Sequence, residues 1–155
     1  MADEKSDKAR RVLIVEESPY DARLFVKASR RVFPDCEIDF TRNYRGAQRK
    51  IKKHGTDYCC AFLDHSIPMN RIQEEEVLTL SDKDFDYLWY EGKQESGYCL
   101  IDEIRRINPT TLIIGTSSID GRKLRAFPSP DAKLSKLDSK KIAPQLRKIL
   151  EEREK

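Results

Sequence analysis

Short apolar runs, each followed by an amphipathic stretch and a turn, leave this 155-residue chain few folds to adopt. The runs "VLIV" from Val12 to Val15, "YCCAFL" from Tyr58 to Leu63 and "LIIG" after Thr111 are strand-sized and lack the polar alternation of a strand with one wet face. Each reads as a strand buried on both sides. Between the first two, "SPYDARLFVKASRRVF" offers Ser18 as an N-cap, Pro19 at the first helical position, and Ala22, Phe25, Val26 and Phe33 on one stripe. "CEIDFT" alternates Cys36, Ile38 and Phe40 as a strand, and "YRGAQRKIKKHG" is a basic helix stopped by Gly55. "GYCLIDEIRRINP" puts Leu100, Ile101, Ile104 and Ile107 on one helical face and stops at Pro109. Beyond "LIIG", "DGRKLRAF" makes a short helix, "AKLSK" a last strand, and "PQLRKILEEREK" a helix beginning near Pro144. Five strands alternating with five helices predict an α/β fold: a doubly wound parallel sheet with helices on both faces, because right-handed crossovers place them there.

The length suits one domain, expected over residues 11–155 behind a charged tail at 1–10. Charged residues make up 37% of the chain, but the net charge is only +3, far from the Lys/Arg field of a dedicated DNA-binding domain. No apolar run approaches a membrane span and "MADEKSDKARR" has no apolar signal core, so a cytoplasmic protein is expected. Cys36, Cys59, Cys60 and Cys99 show no CxxC spacing, and His54 and His65 add no zinc pattern. The cysteines read as reduced core residues.

In an open α/β sheet, chemistry collects outside the carboxyl ends of the strands, where loops from several elements converge. The first strand here ends on Glu16 and Glu17, the third on Asp64, the fourth on Thr116 with Ser117, and the last on Lys136. Three acids, a hydroxyl and an ammonium on one rim are a coherent set. Clustered carboxylates repel unless a cation sits among them, and their oxygens suit Mg²⁺. The hydroxyl and the lysine suit the oxygens of a phosphoryl group. His65, next to Asp64, is expected to point to the opposite side, as successive strand side chains do.

The segments "VLIVEESPYDARL", "AFLDHSIP", "GYCLIDEIR", "LIIGTSS" and "LSKL" resemble, in order, the landmarks of the receiver domain of two-component response regulators, which has a five-stranded flavodoxin-like fold. The resemblance implies that Asp64 is the phosphoacceptor, taking a phosphoryl group from a histidine kinase or a histidine phosphotransfer protein. It implies that Glu17, Asp64 and the backbone carbonyl of Ser66 hold Mg²⁺, with Glu16 acting through water. Lys136 and the Thr116 hydroxyl then contact phosphoryl oxygens, and the threonine's inward movement reports the modification.

Three features depart from that pattern. Glu16 and Glu17 stand where the family has at least one aspartate, and Lys133 replaces a residue that is commonly aromatic. An acidic insertion at 71–95 carries eight acids and three bases, a local charge of −5 on a remainder at +8. Within it, "EVLTL" suits a strand, and Ser81 suits the cap of a helix bearing Phe85, Leu88 and Trp89 on one side. It is expected to govern access to Asp64 or choice of partner. Two functions remain open: a stand-alone phosphorylatable receiver, acting as relay or binding switch on an unknown downstream protein, and a pseudo-receiver that binds partners without phosphorylation. The receiver reading implies that the protein catalyses its own aspartyl phosphorylation and slow dephosphorylation and is not a conventional enzyme.

Overall fold

A computed structural model gives the fold and describes residues 10–68, 94–116, 127–134 and 139–154. Strand β1 (Arg11–Val15) leads through α1 (Pro19–Val32) to β2 (Glu37–Thr41), and α2 (Tyr44–His54) leads to β3 (Tyr58–Leu63). A two-stranded ribbon of β4 (Ser66–Pro68) and β5 (Gln94–Ser96) follows, then α3 (Ile101–Ile107), β6 (Leu112–Gly115), β7 (Ala132–Lys133) and α4 (Ile142–Glu154). The five main strands are all parallel in the order β2-β1-β3-β6-β7. β3 is therefore central.

The three apolar runs are buried on both sides, as their composition requires. Leu13, Val15, Ala61, Leu63 and Ile113 pack with Ala47 and Ile51 of α2 and with Ile101 and Ile104 of α3. Val12, Ile14, Cys60, Phe62, Leu112 and Ile114 pack on the other side with Phe25 and Ala28 of α1 and with Ile142 and Leu146 of α4. This is the doubly wound, flavodoxin-like α/β arrangement that the sequence predicts. Local chemistry sets the helix ends: the Ser18 hydroxyl accepts from the Asp21 N–H at 3.2 Å with Pro19 opening α1, and Asn43 caps α2 through the Gly46 N–H at 2.7 Å.

Several boundaries differ from expectation. α4 begins at Ile142 behind a 3₁₀ turn at Ser139–Lys141, so Pro144 lies inside its first turn. The N–H groups there have no intrahelical acceptor, so proline removes nothing. Phe40 is 37% exposed on β2, because an edge strand lacks a neighbour to cover its outer positions. None of the four cysteines is in a disulfide, and only Cys60 is buried; Cys36, Cys59 and Cys99 are part-exposed. The helix expected after "LIIG" falls almost wholly outside the described residues, and of the 71–95 insertion only Gln94 and Glu95 lie within them.

Candidate functional site: the acidic rim at the end of the central strand

The rim is assembled by the sheet ladder itself. Hydrogen bonding continues one residue past each strand: Glu16 N–H donates to Thr41 O at 3.1 Å, Asp64 N–H to Val15 O at 3.1 Å, and Thr116 N–H to Leu63 O at 3.0 Å. Glu16, Asp64 and Thr116 are thus held in register on adjacent strands, with Asp64 in the middle. Their positions follow from backbone pairing, not from side-chain attraction.

The side chains then converge over the end of β3. Glu16 is 1% exposed, an unusual place for a carboxylate, and Thr116 is equally buried. One Glu16 oxygen accepts from the Ser18 N–H at 3.3 Å and the other from the Thr116 hydroxyl at 3.5 Å, a long contact. Because β1 and β6 flank β3, this contact spans the strand end from which Asp64 emerges. Asp64 is half-buried, and its Oδ1 accepts from the His65 N–H at 2.8 Å. Glu17 is half-buried beside them, its carbonyl taking a hydrogen bond from Arg42 Nε at 3.0 Å.

His65 turns away from this cluster, as strand alternation implies. Its Nδ1 lies 2.8 Å from Ser96 Oγ, and its ring meets Tyr98 and Phe127 edge to face. Ser96 Oγ also accepts from the Tyr98 N–H at 3.1 Å, and in the tautomer that carries the ring proton on Nε2 the serine hydroxyl donates to Nδ1. Burial lowers the His65 pKa, with Asp64 opposing, and the ring is thereby biased toward its neutral form. Ser66 opens β4 and pairs opposite Ser96. The insertion therefore leaves and returns through an antiparallel ribbon rooted two residues from Asp64. Gly97, just past the ribbon, accepts no side chain: a Cβ there would stand 2.1 Å from the Asp64 carbonyl oxygen.

Sequence reasoning found Glu16, Glu17, Asp64 and Thr116, which the structure brings to one rim. Lys136 and Ser117 lie outside the described residues. Lys133 is exposed on β7, as expected of an ammonium at an otherwise apolar position. Reasoning from sequence missed Arg42, Ser96, Gly97 and Phe127, all supplied by loops or by the ribbon; the Ser-Gly step before "YCLI" was the one local signal.

Among the described residues, no group of three or more His, Cys, Asp and Glu side chains is gathered tightly enough to hold a metal ion. Glu16 has both oxygens turned to protein donors. The half-buried carboxylates of Glu17 and Asp64 with the Ser66 carbonyl remain a donor set of the kind Mg²⁺ takes, one or two carboxylates completed by water.

An all-parallel five-stranded sheet, doubly wound, with an acid closing its central strand, is the fold of the response-regulator receiver domain. Solved structures bear this out. The chain matches the phosphorylated cyanobacterial phytochrome response regulator RcpA with a TM-score of 0.62 over 93% of each chain at 12% identity. A two-component transcriptional regulator from Clostridium phytofermentans gives 0.59 over 92% of this chain and 93% of that one at 16% identity. The Thermotoga maritima regulator DrrB gives 0.58 at 13% identity, with 94% of this chain spanning 54% of DrrB. No protein-family model and no curated relative matches the sequence. At such identities the likeness speaks for the fold, and the chemistry must be argued from this chain's own residues.

Proposed function

We propose that this protein is a receiver that accepts a phosphoryl group on Asp64 from a histidine kinase or histidine phosphotransfer protein and acts as a relay or binding switch. The observation that carries the reading is the placement of Asp64 between the Glu16 carboxylate and the Thr116 hydroxyl at the end of the central strand. Asp64 supplies the attacking carboxylate oxygen, and Thr116 stands at the end of the adjacent strand β6. Lys136, from the segment after β7, would pair with a phosphoryl oxygen. Mg²⁺, held by Glu17, Asp64 and the Ser66 carbonyl, would offset charge on the phosphoryl oxygens, with Glu16 acting through water. Protein partners, a compartment that holds such kinases, and slow self-dephosphorylation belong to the same proposal.

One observation favours the second reading, a phosphorylation-independent interaction module. Thr116 is already buried and turned to a carboxylate, so the contact that a phosphoryl oxygen would offer has a competitor in Glu16. Intact mass after incubation with acetyl phosphate and Mg²⁺ separates the two. A receiver gains one phosphate that is lost in Asp64→Asn and without metal; no gain in the parent protein, or an unchanged gain in Asp64→Asn, overturns the first reading.

A further inference from the structure

The cysteine pair Cys36 and Cys59 lies away from the acidic rim, near the amino ends of the strands, and nothing in the proposed function uses it. Its geometry originates in the sheet. β1 pairs Arg11 with Tyr58 and Val12 with Cys60, so Cys59 is the extra residue of a β-bulge and has no opposite number on β1. A bulge re-aims the side chain it carries. In a regular strand Cys59 and Cys60 would face opposite ways, whereas here both pack into the cluster that contains Val12 and Phe62. Cys36 enters that cluster from the turn before β2, on the far side of β1. Two sulfurs from non-adjacent parts of the sheet are thereby brought to 3.8 Å, and both residues are part-exposed. A disulfide needs a closer approach by about 1.8 Å, and because strands two apart lie about 9.6 Å from each other while a disulfide spans Cα atoms no more than about 7 Å apart, the turn before β2 must also move inward. Among the described residues, no group of three or more His, Cys, Asp or Glu side chains suited to a metal ion is found at this place.

We propose that Cys36 and Cys59 form a reversible intramolecular disulfide when the protein meets a two-electron oxidant of the hydroperoxide class. One thiol gives its proton to solvent and the thiolate attacks the O–O bond, becoming a sulfenic acid and releasing hydroxide, which that proton neutralises; the second thiol then displaces the sulfenic oxygen, which leaves as water with the second thiol's proton. With hydrogen peroxide, two S–H bonds and one O–O bond are lost, and one S–S bond and two waters are formed. The bond would tie the entry to edge strand β2 to central β3 across β1. Burial, with Cys36 adding to it, pushes the Cys59 thiol up to about 12, while Arg10 opposes the shift. Oxidation is therefore slow at neutral pH and accelerates as the thiolate fraction grows.

The test is hydrogen peroxide treatment of the full chain, followed by alkylation, intact mass and an unreduced peptide map. The expected product has lost two hydrogens and two alkylation sites, joins the peptides containing Cys36 and Cys59, and reverts with dithiothreitol. Its rate of formation should rise by up to about tenfold per pH unit. Cys36→Ser and Cys59→Ser should each abolish the product, and Cys99→Ser should leave it. Oxygen addition without loss of the two hydrogens, a bond to Cys60 or Cys99, or a linked dimer in the parent protein overturns the proposal. The parent's own peptide map decides the matter even if a serine variant fails to fold.

Discussion

Glu16 carries the cost of a carboxylate with almost no solvent, and that cost is tolerable because the Ser18 N–H and the Thr116 hydroxyl both donate to it. Glu16→Ala strands those donors, so a loss of about 1–3 kcal/mol is expected in urea unfolding. An unchanged midpoint would mean that neither contact matters to stability. Glu17, part-exposed, should report on the metal instead: Glu17→Gln weakens Mg²⁺ binding in calorimetry, and Glu17→Asp preserves it. Equal affinities in all three proteins would remove Glu17 from the proposed ligand set. Ser29 of α1 is the converse of Glu16, a fully buried hydroxyl with no hydrogen-bond partner among the described residues. Ser29→Ala removes an unsatisfied group at nearly constant volume and should stabilise the fold by up to about 1 kcal/mol; marked destabilisation would reveal a partner for that hydroxyl.

At the scale of elements, the ribbon is the feature that most distinguishes this molecule. β4 and β5 pair Ser66 with Ser96, Ile67 with Glu95 and Pro68 with Gln94, and Ile67 is fully buried in the core cluster beneath α2 and α3. The root of the ribbon belongs to the domain, whatever the acidic segment beyond it does. Replacing residues 71–93 by a short Gly/Ser turn should therefore leave a cooperatively folding protein, since closure entropy changes slowly with loop length. Circular dichroism and a urea transition check this, and a variant without a cooperative transition would place the excised segment in the core. Gly97→Ala acts on the same junction from the other side. Its methyl group would collide with the Asp64 carbonyl, so a loss of about 1–3 kcal/mol is expected, with the acidic rim displaced as well.

For the molecule as a whole, the titrating groups at the amino ends of the strands set an alkaline limit on stability. Cys59, in the folded protein, is raised from 9.0 to about 12, chiefly by burial, and fully buried Cys60 is raised in the same direction. Tyr58 is pushed well above the ordinary tyrosine value by burial, with Asp39 adding to it, since its hydroxyl donates to that carboxylate at 2.7 Å. All three fold in their protonated forms, so their contribution is complete below pH 9; the Cys59 share is lost as the pH rises from 9 toward 12, Cys60 acts in the same direction, and the Tyr58 share begins to fall above pH 10. Urea midpoints should thus fall steadily above pH 9, and a flat profile to pH 11 would contradict the burial of these groups.

What the sequence determined by itself was the order of the elements and the sheet they make. Apolar runs too short for helices and too uniform for half-exposed strands can be satisfied only between two helical layers, and Ser18 and Pro19 mark a helix start through purely local chemistry. The strand-end acids and Thr116 were legible for the same reason, because a residue that follows a buried parallel strand must lie at the rim. Tertiary structure alone decided what required two distant segments at once. The contact between Glu16 and Thr116 across β3 depends on strand order, and the meeting of His65 with Ser96, Tyr98 and Phe127 depends on where the chain returns after the insertion. The bulge that turns Cys59 toward Cys36 depends on how β3 registers against β1, a choice that no local pattern in "YCCAFL" announces, since it is made by the packing of both faces together.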